Sequence, residues 1–80
     1  MKHAKDMTDT ELLDSADFHQ DASADVDMSS PGGIELRMAH QAARSAYEDL
    51  LGIRNKNCEG FRKRIRAIDA ALSVIEAVQS

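Results

Sequence analysis

The chain has 80 residues, with 10 Lys+Arg against 14 Asp+Glu, three aromatic side chains, one Pro and one Cys. That length carries one small domain and is short of the walls most enzyme clefts need. One Cys excludes an internal disulfide framework and a thiolate zinc cage, and no apolar run approaches the roughly 20 residues that span a bilayer.

Residues 1–33 hold eight acids and two bases, a net of −6, whereas residues 34–80 hold eight bases and six acids, a net of +2. The first segment has few large apolar residues, so the expectation is an acidic flexible arm over 1–33. Its start, Met1-Lys2-His3-Ala4-Lys5-Asp6, has no apolar stretch behind it, so no signal peptide is expected and the expected location is cytoplasmic. Inside the arm, Thr8-Asp9-Thr10-Glu11 has the spacing of a capping box. It predicts a short helix near 9–18 that forms on docking, with Leu12, Leu13 and Phe18 as its docking residues.

The next element is predicted to run over about 34–51. Ser30 suits an N-cap with Pro31 at the first helical position, and Gly32 and Gly33 push the start toward Ile34. Leu36, Ala39, Ala43, Ala46, Leu50 and Ile53 then recur at spacings of 3, 4, 3, 4 and 3. Tyr47 and Leu51 widen this seam, and Gly52 ends it. Asn55-Lys56-Asn57 supplies a turn, with Asn57 as the cap of the next helix.

That second long helix is predicted over about 58–78. Phe61, Ile65, Ile68, Leu72 and Ile75 form one apolar row, and Ala67, Ala71, Val74 and Val78 form another beside it. The short loop makes the two helices an antiparallel hairpin. The predicted fold class is therefore all-α: a two-helix hairpin over 34–80 behind a disordered arm. The hairpin has one more apolar row than it can cover by folding back once. Small domains of this size lean on a metal, a disulfide or association. Association is the expectation: a homodimer closing a four-helix bundle, with Leu36, Ala43, Tyr47, Leu50, Ala71, Val74 and Val78 at the dimer or partner interface.

Chemistry is sparse. His3, His19 and His40 form no i, i+4 pair; His19 and His3 read as solvated residues and His40 as a polar residue flanking the seam, so no metal and no cofactor are expected. Cys58 falls in the first turn of a helix, where the dipole favours a thiolate, but no His stands beside it and Glu59 opposes it. Glu48, Asp49, Asp69 and Glu76 are helix-surface acids without a matched base, so no enzymatic activity is expected. Arg54, Lys56, Arg62, Lys63, Arg64 and Arg66, against Glu59, put +5 within 13 residues. That patch offers phosphate contacts or meets an acidic protein surface, including the chain's own arm. The acidic whole and the apolar character of the helix after Arg66 argue against a groove-reading helix. The leading expectation is a small non-enzymatic regulator, an inhibitor or adaptor, acting by protein–protein contact. A nucleic-acid-binding regulator using 54–66 is the alternative, and a structural subunit of a larger assembly is the third.

Overall fold

The computed structural model describes residues 2–79. A 3₁₀ turn, Ala4–Asp6, leads into three helices: α1 (Asp9–Ala24), α2 (Gly33–Leu51) and α3 (Glu59–Gln79). The described residues contain no strand, and no helix among them is long and apolar enough to cross a membrane.

The capping box forms with both limbs. Thr8 Oγ1 accepts from the Glu11 amide at 3.2 Å, and the Glu11 carboxylate accepts from the Thr8 amide at 3.0 Å. Those hydrogen bonds, with Lys2 beside them, hold the Glu11 carboxyl below its ordinary range. The helix they start does not stop near residue 18. It runs to Ala24 and buries Leu12, Ala16 and His19 against α2. This overturns the disordered arm and the two-helix hairpin: the fold is a three-helix, bundle-like packing. The composition argument for disorder considered how little large apolar surface residues 1–33 carry. Small and aromatic side chains on one narrow stripe suffice here, because tertiary packing supplies the stability that an isolated helix of this length lacks.

The turn into α2 also differs from expectation. The N-cap is Gly32, at φ +78°, with no side-chain cap hydrogen bond; Ser30 and Pro31 lie outside the helix. The reason is clearance. A Cβ on Gly33 would stand 2.3 Å from the Asp27 carbonyl oxygen, and one on Gly32 would stand 3.0 Å from Val78 Cγ1. Asp27 builds the preceding turn, its Oδ1 accepting from the Ser29 amide at 2.9 Å and the Ser29 hydroxyl at 2.6 Å. Glycine alone tolerates both the left-handed backbone and the close pass.

Helix α3 begins with a sulfur cap. The Phe61 amide donates to Cys58 Sγ at 3.3 Å, taking the role expected of Asn57. Asn57 instead donates its amide to Asn55 Oδ1 at 2.9 Å within the loop.

Helix α2 is central. It runs antiparallel to α1, with Asp9 beside Leu51 at one end and His19 against His40 further along. It runs antiparallel to α3, with Asp49 against Arg64 at 3.5 Å and Gly32 against Val78. Helices α1 and α3 therefore run parallel to each other, and each packs chiefly on α2. The core lies where the three meet: Ala43 is fully buried, Ile68 is 1% exposed and Ala16 2%. The 3₁₀ turn ties the chain's start to α3. His3 Nε2 lies 3.0 Å from Asp69 Oδ1, Lys56 Nζ donates to the Lys5 carbonyl at 3.0 Å, and Ala4 is buried.

Candidate functional site

Two helices that share a neighbour without packing closely on each other leave a trough between them. Here it has a volume of about 440 Å³. Ser15, Phe18 and Ala22 of α1 form one wall and Leu72, Ile75 and Gln79 of α3 the other; Met7 contributes from the chain before α1. The inner surface is carried by His19, His40 and Tyr47, all three buried. Phe18 stands at the rim, 63% exposed.

The floor is held by a ring cluster. His19 Nδ1 and His40 Nδ1 are 2.8 Å apart, a hydrogen bond that requires one ring to donate N–H and the other to accept on a bare nitrogen. The His19 ring stacks on Tyr47 at 5.6 Å and 13°, and Phe18 meets His19 edge-on at 5.1 Å and 80°. Burial, then the neighbouring His40, pushes the His19 imidazole down to about 4. Burial lowers His40 as well. The Tyr47 phenol is raised, first by burial and then by the Asp69 carboxylate. At neutral pH the floor is therefore uncharged, which suits an apolar ligand surface and keeps the pair's hydrogen bond intact.

The helix surfaces that flank the trough carry acids and no Lys or Arg. Asp14 lines the trough itself. Asp14, Phe18 and Asp21 follow one another at spacings of 4 and 3 along α1, and Asp69, Leu72, Glu76 and Gln79 at 3, 4 and 3 along α3. Helix α1 has five acids and no base, and α3 has no base from Ala67 to Gln79.

The residues expected at an interface divide. Ala43, Tyr47, Leu50 and Ala71 are buried in the chain's own core; Leu36 and Val78 are half-buried; Val74 is exposed. Of the arm's docking set, Leu12 is buried on α2, while Leu13 and Phe18 face outward. The basic stretch is largely engaged within the chain. Arg62 and Arg66 both reach Glu59, at 3.3 and 3.0 Å, holding its carboxyl below its ordinary range. Arg64 pairs with Asp49, and Lys56 holds the Lys5 carbonyl. Among the described residues Arg54 and Lys63 form no ion pair.

Sequence reasoning missed the histidine pair. Its signal was present: Leu12, Ala16 and His19 are spaced 4 and 3, and His40, Ala43 and Tyr47 are spaced 3 and 4, so each His belongs to an apolar stripe. Among the described residues no three His, Cys, Asp or Glu side chains gather as metal ligands. Comparison with protein-family models, with curated proteins and with solved structures finds no match.

Proposed function

We propose that this protein is a small non-enzymatic regulator, an inhibitor or adaptor, that works by seating a segment of another protein in the trough between α1 and α3. The observation that carries the reading is the trough itself: apolar walls, an uncharged floor and Phe18 exposed at its mouth. Occupying a partner's surface in this way requires no catalytic group. The packing of α3 on α2 also weakens the argument for an obligate homodimer. Ala71, of the row expected to stand uncovered, is buried and Val78 lies against Gly32 at the start of α2, which leaves Val74 as the exposed large member of that row. The basic stretch gives less support to nucleic-acid binding, because Arg62, Arg64 and Arg66 already have acidic partners.

The test is affinity capture from the native host with the intact chain and with Phe18→Glu, a change at a solvent-facing position. Because Phe18 also meets His19 edge-on, the fold of the variant is checked by circular dichroism. The expected result is a partner retained by the first and lost by the second. In addition, partner-induced amide shifts should be confined to the residues that line the trough. A partner that binds both proteins equally, with shifts gathered around Arg54 and Lys63, refutes the reading.

A further inference from the structure

Resting on that reading, we infer that the trough takes a partner helix whose apolar stripe is flanked by Lys or Arg. The packing supplies the shape. In a four-helix bundle each helix touches two neighbours and stands diagonal to the third. Helices α1 and α3 hold such diagonal positions, both against α2, and the position opposite α2 is open. The 3₁₀ turn and Met7 border one end of that open corner, and the trough is the remainder. A helix laid there would touch both α1 and α3. Asp14 to Ala22 spans eight steps of α1, roughly 12 Å at 1.5 Å per residue, which is the reach of anchors at i, i+4 and i+7.

Charge selects the occupant. Asp14 lines the trough; Asp21 stands seven residues on from it along α1 and Glu76 next to the lining residue Ile75 on α3, and none of these three forms an ion pair among the described residues. A fourth acid, Asp69, already faces His3. An anionic occupant would meet these carboxylates at close range, and a cationic flank would be drawn to them. The same charges disfavour a second copy of this chain. Its α1 would bring five further acids, and its basic stretch offers arginines already held by Glu59 and Asp49 around a buried Phe61. The geometry therefore points to a cationic amphipathic helix from another protein.

Two synthetic helical peptides test this, both with Leu at i, i+4 and i+7, one with Lys flanking that stripe and one with Glu. Binding to the full chain is measured by fluorescence anisotropy at low and at high salt. The Lys peptide is expected to bind roughly tenfold more tightly at low salt, with the gap closing as salt rises. The triple variant Asp14→Asn, Asp21→Asn, Glu76→Gln should close the gap at low salt while still binding both peptides. Phe18→Ala, which removes the ring without adding charge, should weaken both. Equal binding of the two peptides by the unaltered chain, or a preference for the Glu peptide, overturns the cationic assignment and leaves the trough as a binding site. If neither peptide binds while capture from the host still depends on Phe18, the helical anchors are wrong and the protein-binding reading stands. If sedimentation instead shows a dimer that Phe18→Glu disperses, the occupant is a second copy and the inference is overturned.

Discussion

Helix α2 makes two contacts of different kinds. Toward α3 it meets large aliphatic and aromatic side chains, with Phe61, Ile68, Ala71 and Ile75 of that helix buried. Toward α1 it meets Leu12, Ala16 and an imidazole, and its own contribution includes another imidazole. Burial of the first kind does not depend on protonation. The second is joined by a hydrogen bond that survives only while one of two nitrogens is bare. The difference predicts that the α1–α2 contact is the acid-sensitive one and the α2–α3 contact is not. Local opening in acid should follow the contact that protonation breaks, so α1 should open before the others as pH falls. Since α1 is one wall of the trough, opening of α1 would open the trough with it.

The largest expected effect breaks the α2–α3 contact. Ile68→Ala removes the most deeply buried large side chain and should cost about 2–5 kcal/mol by chemical denaturation. All three helices should be lost in one transition. A smaller cost than that of Leu12→Ala would reverse the ranking of the two contacts.

Next is acid. The His19 value is about 4 in the fold against 6.5 in the unfolded chain, so the unfolded chain binds the extra proton between those limits. Stability is then full above pH 6.5 and falls as pH drops toward 4, with His19 contributing at most on the order of 3 kcal/mol. Hydrogen exchange at pH 7 and pH 4.5 should show protection falling in α1 before α3. His19→Gln should flatten most of the slope. A uniform loss across α1 and α3 would mean that the two contacts do not differ as argued.

Thr8→Ala comes third. Loss of the cap should cost about 1 kcal/mol and speed amide exchange in the first turn of α1, with α3 unaffected. The smallest effect sharpens the comparison from the other end of the molecule. Glu59→Gln frees Arg62 and Arg66 at the surface, and melting should stay unchanged within the error of a thermal scan. A clear drop would show that the start of α3 depends on charge and not on its apolar row.

Much of this architecture is legible in the residues alone. The 3–4 spacing of Leu36, Ala39, Ala43, Ala46 and Leu50 places α2, the row from Phe61 to Ile75 places α3, and Thr8 with Glu11 starts α1 where it begins. The end of α1 is not legible. Residues 19–24 have no large aliphatic side chain, and what holds them is a partner 21 residues further along the chain. A contact between His19 and His40 depends on the register of two helices, and single-chain periodicity gives stripes but not registers. Gly32 and Gly33 mislead for a related reason. They read as weak helix formers, but their role is to let backbone pass close to Asp27 and Val78, a crowding that no local pattern announces.

That close pass has a consequence of its own. Only eight residues join α1 to α2, and they fold back on themselves at the glycines. An α1 released by acid would stay tethered beside the surface it left, at a local concentration far above that of any competitor in solution. Closing a loop of about ten residues takes on the order of 10–100 ns. Recapture on neutralisation should therefore be limited by proton transfer and helix re-formation, and acid cycling should leave no hysteresis.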